Sequence, residues 1–408
     1  MSLHGVTLTT AGIERLGAGH PQLPLTDLID GAAGLEPGRP LRLMSPKAEV
    51  LAMGAADPEN ELVRVWQPAE NDGATVHALD AVFFRAHVRR ALALRRTLGL
   101  ADGESAYRLM NGEGDGLSGL AIDVYGPYAV VTALSRGLLG PARQVAEAAM
   151  ALLPEAGLPL RGAVLKVRLK AQGGGPERVK DHVVGEEPPA KLVVREAGVP
   201  YEVHLRGAIN VGLFSDMREH RAGLARFVRD RRVLNTFAYT GALSLAAARA
   251  GAAELTSVDL AGGPLAWARE NFRLSGLDPE DLRFHWITSD VFRFLESERA
   301  RGAAYDVIIL DPPTVSGART ASWAQKRDYP ELIDAACALL PSEGGHVWVS
   351  SNTHRGPSVL KHVEAGLTLA KRPGAVLELG GLPPDFPTPV SWPAARYLEV
   401  CQLRVGPR

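Results

Sequence analysis

Val233-Leu-Asn-Thr-Phe-Ala-Tyr-Thr-Gly241-Ala242 passes from a short apolar strand, through a turn, into a helical segment. The pattern predicts a strand at Arg232–Asn235 and a helix at Ala242–Ala250. The alternation continues with strand Glu254–Asp259 and helix Pro264–Ser275, strand Phe284–Ile287 and helix Val291–Glu298, strand Asp306–Leu310 and helix Tyr329–Leu340, and strand His346–Ser350 and helix Val359–Leu369. Such alternation predicts an α/β fold, a mostly parallel sheet with helices on both faces. Two further strands, Ala375–Leu379 and Tyr397–Leu403, have no helix between them and predict an antiparallel hairpin at the edge.

In sheets of this kind ligands bind outside the carboxyl ends of the strands, so the residues there are the candidates for chemistry. At the first tip, Gly241 lets the backbone approach a ligand, and free N–H groups at a helix start favour an anion. The dinucleotide pattern G-x-G-x-x-G is absent. At the second tip, Asp259 of Ser257-Val-Asp259 either binds ribose hydroxyls or caps the next helix. At the third, Asp290 of Ser289-Asp290-Val291 either caps the Val291 helix or receives an adenine amino group, and both roles can hold. At the fourth, Asp311-Pro312-Pro313-Thr314 carries an acid into a double-proline turn whose rings fix the loop. At the fifth, Ser350-Ser-Asn352-Thr-His354-Arg355 crowds polar groups onto the same edge, as binding groups or as a loop cap. Five such clusters on successive strands resemble a Rossmann-like methyltransferase that uses S-adenosylmethionine.

Outward from that region the character changes. About two or three domains fit into 408 residues. Val6–Thr9, Leu41–Leu43, Glu49–Met53 and Leu62–Val65 predict short strands of a small N-terminal sheet domain or of a β-rich extension of the next domain. A helix is expected from about Asp80 to Thr97, with Asp80 as cap. Its apolar stripe is Phe84, Val88, Ala91 and Leu92, surrounded by Arg85, Arg89, Arg90, Arg95 and Arg96. These arginines read as a solvated face or as an RNA-facing one. Leu120–Val124 and Tyr128–Leu134 predict a hairpin, Ala142–Leu153 a helix, and Gly162–Leu169 a strand carrying Lys166 and Arg168. The Gly/Pro-rich stretch from Ala171 to Pro189 reads as a linker or flap. Lys+Arg number 45 against 46 Asp+Glu, so nucleic-acid affinity would have to come from local patches. Two cysteines exclude a disulfide framework and a multi-Cys zinc site. Asn111-Gly-Glu-Gly-Asp-Gly116 looks like a calcium loop, but Ile122 stands where a bidentate Glu is needed, so no metal is expected. The absence of a long apolar run and of a basic-then-apolar leader makes a soluble, cytoplasmic protein the expectation.

Several specific strings resemble the bacterial ribosomal RNA methyltransferases that join an N-terminal PUA domain to a class I methyltransferase domain. They are Asp115-Gly-Leu-Ser-Gly119 with Ile122-Asp123, Gly212-Leu-Phe-Ser-Asp216-Met-Arg218-Glu-His-Arg221, Leu234 to Ala242, and Asp311-Pro-Pro-Thr314. Gly19-His20-Pro21 resembles the PUA opening, although Gln22 stands where an aromatic is usual. The resemblance implies a PUA-like RNA-binding domain at 1–70, a small α+β middle domain with the hairpin at 71–190, and a Rossmann-like methyltransferase domain at 191–408. It implies S-adenosylmethionine bound by Phe214, Ser215, Arg218, Arg221, Asn235, Phe237, Ala238, Tyr239, Thr240, Gly241, Asp259, Leu260, Asn271, Asp290, Val291 and Asp311. Catalysis would fall to Asp311, Pro312, Pro313 and Asn352. Arg218 or Arg221 would clamp a carboxylate or an RNA phosphate, or else form a salt bridge with Asp216 or Glu219. The implied partners are ribosomal RNA (23S or its precursor), no membrane, and a homodimer as candidate assembly.

The family divides by chemistry. Methylating carbon 5 of cytosine needs a thiolate to attack the ring first. Cytosine-C5 members carry that Cys in the loop after the fifth strand, where Asn352 stands here, and Cys337 and Cys401 lie in apolar stretches elsewhere. Asp311-Pro-Pro-Thr-Val-Ser316, Gln325-Lys-Arg-Asp328 and Ser351-Asn-Thr-His-Arg-Gly356 resemble instead the guanine-N7 enzymes, whose acceptor nitrogen has a free lone pair. Guanine-N7 transfer is therefore expected over cytosine-C5. An inactive RNA-binding assembly factor and a small-molecule methyltransferase are the readings of other kinds.

Overall fold

Each apolar run of the alternating region is short enough for a strand, and each is followed by a stretch with one apolar face. In the computed structural model they become β1 (Arg232–Thr236), β2 (Glu254–Asp259), β3 (Phe284–Thr288), β4 (Val307–Leu310) and β5 (Gly345–Asn352), all five parallel to one another. The structure describes residues 3–29, 34–71, 74–76, 78–102, 105–169, 179–313, 315–318, 321–353 and 356–408. Lys170, Ala171 to Glu177, Thr314, His354 and Arg355, all raised by the sequence, lie outside them. The contacts divide the chain into two units: Met1–Gly198 with Val203–Val211 and Pro384–Ala395, and Val199–Glu202 with Gly212–Pro383 and Arg396–Arg408.

In the second unit the sheet is completed by β6 (Gly374–Gly380) and β7 (Leu398–Val405), in the order β3-β2-β1-β4-β5-β7-β6. Helices α1 (Arg218–Val228), α2 (Ala242–Arg249), α3 (Gly262–Leu274), α4 (Val291–Ala300), α5 (Gln325–Cys337) and α6 (Val359–Ala370) alternate with the strands. β4 is buried along its whole length, as a central parallel strand covered on both faces must be. The expected antiparallel pair at the edge of the sheet is present. β7 pairs antiparallel with β6, but it also pairs with β5, so it lies inside the sheet and β6 forms the edge. The burial pattern gives the reason. Val400, Cys401, Leu403 and Val405 of β7 are buried, while Val376, Leu377 and Leu379 of β6 are exposed.

In the first unit, strands His4–Thr7, Pro40–Met44, Val50–Asp57, Leu62–Trp66 and Gln22–Pro24 form one sheet in that order. His182–Gly185, Gly162–Val167, Tyr128–Ala133, Leu120–Tyr125 and Ala106–Asn111 form another, with the expected hairpin at its centre. The two sheets share a core. Trp66 lies in one buried cluster with Phe83, Phe84, Leu109 and Val131, and its Nε1 donates to the Ser118 carbonyl at 3.1 Å. Helices Ala81–Thr97 and Leu139–Glu155 belong to that cluster, and Asp80 caps the first of them by accepting from Val82 N and Phe83 N.

Several arginines of helix Ala81–Thr97 make bonds within this unit. Arg95 is buried, donates to both Asp115 oxygens at 2.8 Å, and also donates to the carbonyls of Arg108 and Asp385. Arg85 pairs with Glu155, Arg90 donates to the Asp115 carbonyl and Arg96 to that of Ala156. Lys166 is buried as well and donates to the Ala208 carbonyl, and Arg168 donates to Asn210 Oδ1 at 3.4 Å. Burial removes Arg95 and Lys166 from any RNA-facing surface, whereas Arg89, Arg90, Arg96 and Arg168 are exposed. Among the described residues no cluster of His, Cys, Asp and Glu has the makings of a metal site, and no helix is long and apolar enough to cross a membrane.

Candidate active site

The turn after β1 is built from left-handed backbone conformations. Phe237 and Tyr239 have φ of 55° and 49°, and Gly241 has 72° as the N-cap of α2. A Cβ on Gly241 would lie 2.6 Å from the Ala268 Cβ, so glycine is needed there both for conformation and for close packing of the loop on α3. The turn is fastened to β2, since Ala238 N donates to the Val258 carbonyl at 2.9 Å and Tyr239 N to Asp259 Oδ2 at 2.8 Å. Asp259 Oδ1 accepts from Ala261 N at 3.0 Å. Its neighbour Leu260 is exposed. The next tip is joined to this one by Ser289 N donating to the Asp259 carbonyl. Asp290 caps α4 through Arg293 N at 3.1 Å.

β1 pairs with β4 up to Thr236 and Leu310, so Asp311 leaves the sheet beside the β1 turn. Burial pushes the Asp311 carboxyl up to about 6. The nearby Asp216 charge pushes it the same way, while the Ser350 hydroxyl, which donates to Asp311 Oδ1, and the Arg221 guanidinium oppose it. Pro312 is buried behind the acid and Pro313 is exposed. Beneath them Tyr329 of α5 donates its hydroxyl to the Ser350 carbonyl and lies 3.3 Å from that of Leu310. Burial raises the Tyr329 phenol well above its ordinary value. One phenol thus spans the ends of β4 and β5 where the strands part. Asn352 is exposed at the last position of β5, and buried Ser351 accepts from Gln325 Nε2 at 2.6 Å.

The segment before β1 closes another side. Phe214 is exposed, and its ring centroid stands 5.6 Å from that of Tyr239. Ser215, Asp216 and Arg221 are buried, whereas Arg218 is half-buried. Arg221 Nη2 donates to the Phe214 carbonyl at 2.8 Å, and Thr240 Oγ1 donates to the Gly212 carbonyl. Tyr397 donates to Asp216 Oδ2 at 2.8 Å.

The structure therefore brings together Phe214, Arg221, Phe237 to Gly241, Asp259 and Asp311, with Leu260, Asp290 and Asn352 on the adjoining tips. Three expected cofactor residues sit elsewhere. Asn235 is buried in the sheet, where its Nδ2 donates to Ser244 Oγ at 2.8 Å, and that hydroxyl lies 2.8 Å from Ser257 Oγ. Asn271 lies behind the loop, donating to the Thr240 carbonyl at 2.9 Å and accepting from Glu202 N at 2.8 Å. Val291 belongs to the core cluster with Leu234 and Ile308. Ser350, Tyr329 and Tyr397 were missed. Ser350 stands in a string the sequence had singled out and Tyr329 directly follows another, Gln325 to Asp328, while Tyr397 carried no local signal.

A family model for S-adenosylmethionine-dependent methyltransferases matches residues 162–396. The chain belongs to the S-adenosylmethionine-dependent methyltransferases. Among its relatives, ribosomal RNA large subunit methyltransferase I of Klebsiella pneumoniae (strain 342) is 32% identical over 370 residues, 90% of each chain. A putative ribosomal RNA large subunit methyltransferase, YwbD of Bacillus subtilis (strain 168), is 30% identical over 404 residues, 98% of this chain and 99% of that one. The solved structure of SMU.776, a putative methyltransferase complexed with SAH, superimposes with a TM-score of 0.81 at 26% identity, covering 99% of this chain and 100% of that one. The cofactor of this methyltransferase is thus S-adenosylmethionine, and the strand tips suit it. The turn with left-handed Phe237 and Tyr239 lies beside the Asp259 carboxylate, the kind of acceptor a ribose requires at this place in such a sheet.

Proposed function

We propose that this methyltransferase acts on RNA of the large ribosomal subunit, 23S or its precursor, in the cytoplasm. The observation that carries the reading is resemblance along nearly the whole chain to enzymes named for that substrate, rather than along the methyltransferase region alone. In the same reading residues 1–70 form the PUA-like RNA-binding domain, 71–190 the middle domain and 191–408 the methyltransferase domain, with a homodimer as the assembly. S-adenosylmethionine supplies an electrophilic methyl group. The main chain of Ala238–Gly241 faces its methionine part, Asp259 takes the ribose hydroxyls and Asp290 the adenine side. Phe214, Ser215, Arg218, Arg221, Phe237 and Leu260 shape the surroundings, Asn271 holds the loop from behind, and Asn235 and Val291 act only through the packing beneath it. Asp311, braced by Pro312 and Pro313, and Asn352 orient the acceptor base.

For the base we favour direct transfer to guanine N7 over cytosine C5. The cytosine route needs an accessible thiolate. Cys337 and Cys401 are both fully buried, and burial pushes their thiols up to about 12 and about 11, which supports transfer without an adduct. A nitrogen with a free lone pair needs alignment and a favourable field rather than a strong base. The relatives' names carry no base, so this choice rests on the cysteines. The test is mass spectrometry of nucleosides from undermethylated large-subunit RNA incubated with the purified chain and S-adenosylmethionine. The expected product is 7-methylguanosine. Appearance of 5-methylcytidine would overturn the base, and no transfer at all would overturn the substrate in favour of an inactive assembly factor.

A further inference from the structure

Tyr397 stands where the chain re-enters the second unit, which resumes at Arg396 after the excursion Pro384–Ala395. It is bonded to two separate parts of the candidate site. Its hydroxyl donates to Oδ2 of the buried Asp216 at 2.8 Å. Its carbonyl accepts from Thr353 N at 2.9 Å, immediately after Asn352, which is paired with Leu398 at the end of β5. One residue therefore joins the segment carrying Phe214, Asp216 and Arg221 to the loop that begins at Asn352.

We propose that Tyr397 is a positioning residue for methyl transfer, its hydroxyl holding the Asp216 segment on the cofactor side in register with the Asn352 loop on the acceptor side. The inference rests on the proposed function, since it assigns those two sides. Three features support it. The carbonyl bond and the β5–β7 pairing already fix the Asn352 loop to Tyr397, and the hydroxyl carries that fixed point on to Asp216. Asp216 and Arg221 both act electrostatically on Asp311, so a shift of that segment is felt at the acid nearest the transfer. A phenol donating to a buried carboxylate makes a strong, directional bond, which a purely space-filling role would not require.

The test uses the full chain with S-adenosylmethionine and large-subunit RNA. Tyr397→Phe keeps the ring and the carbonyl and removes only the hydroxyl. The expected result is a fall in kcat of about ten- to a hundredfold, since small misplacements cost rate steeply, with cofactor Kd from calorimetry unchanged within about twofold. In a double-mutant cycle, Tyr397→Phe added to Asp216→Ala should cost little beyond Asp216→Ala alone, because the bond is already gone. An unchanged kcat in Tyr397→Phe, or a lowered Tm with kcat unchanged per folded molecule, would overturn the inference, as would equal additional losses in both backgrounds. If the unmodified chain fails to methylate the RNA, the proposed function itself falls and this inference with it.

Discussion

Asp311→Asn should stabilise the second unit while ending methyl transfer. The carboxyl is pushed, first by burial, from an ordinary 3.8 to about 6. The folded value lies above the unfolded one, so the native state binds this proton more tightly. Above about pH 6 the fold carries the cost of a charged, poorly solvated carboxylate. That cost shrinks as pH falls through 6 and disappears towards the unfolded value. A displacement of about two units corresponds to roughly 3 kcal/mol, and the residual exposure of the side chain brings it to about 1.5–3 kcal/mol. Asn has the same shape, carries no charge, and keeps an oxygen to accept from Ser350 Oγ. At about 2–4 °C per kcal/mol for a unit of this size, the gain at pH 8 should be about 3–12 °C. Differential scanning calorimetry of the full chain at pH 8 and pH 5 reads it directly, with the gain at pH 5 about half as large. A transition at pH 8 no higher than that of the unmodified chain, or a gain that does not shrink at pH 5, would refute the reasoning. The same variant should show no transfer, because the acid beside the acceptor is gone.

Asp259→Ala removes the acceptor for the ribose hydroxyls and the anchor of Tyr239 N and Ala261 N, at about 1.5–3 kcal/mol for each charge-assisted bond to the ligand. Cofactor affinity by calorimetry should fall about a hundredfold or more, and an unchanged affinity would end the assignment. Cys337→Ala and Cys401→Ala should each lower stability to urea by about 1–2 kcal/mol and leave transfer intact; loss of turnover in a folded variant, or a trapped adduct with fluorocytosine RNA, would restore the cytosine route. Arg95→Lys breaks the fork on buried Asp115 and should cost about 3–5 kcal/mol in denaturant titration. Its RNA affinity per folded molecule should stay the same; a stable variant with weakened RNA binding would put Arg95 back on an RNA surface.

Elements set by local pattern were legible in the sequence. β2 falls at Glu254–Asp259 as expected, and α2 at Ala242–Arg249 ends one residue early. The strand tips were legible too, because a parallel sheet puts its ligand edge at the carboxyl ends whatever its helices contain. Residues whose partners are distant were not. Nothing near Asn271 shows that its two amide ends will be used on Thr240 and Glu202. β6 and β7 are adjacent in sequence among strands, but their order in the sheet is decided by which of them can be buried on both faces. Gln22, standing where an aromatic was looked for, accepts from Arg64 Nη1 at 3.2 Å, and the aromatic beside His20 is Trp392, with ring centroids 5.4 Å apart.

The string Asn111-Gly-Glu-Gly-Asp-Gly116 shows most clearly why a local reading falls short. Its composition invites a calcium loop, and the missing Glu dismisses one, but neither step explains the glycines. A Cβ on Gly114 would lie 1.8 Å from the Pro387 carbonyl oxygen, so the loop is a seat for another piece of chain. That piece is the excursion Pro384–Ala395. Asn111 Nδ2 donates to the Pro387 carbonyl at 2.8 Å, Arg108 N to Asp385 Oδ2 at 3.0 Å, and Arg95 to the Asp385 carbonyl. The Arg108 guanidinium lies 4.4 Å from the centre of the Phe386 ring. Asp115 holds Arg95, and Arg95 holds the excursion, so the acid of the apparent metal loop serves an ion pair instead. A signature resembling the family's thus marks a joint in the chain rather than a site of chemistry. Its partner lies more than 270 residues away, which is why spacing and composition around Asn111 could describe the string and still give no reason for it.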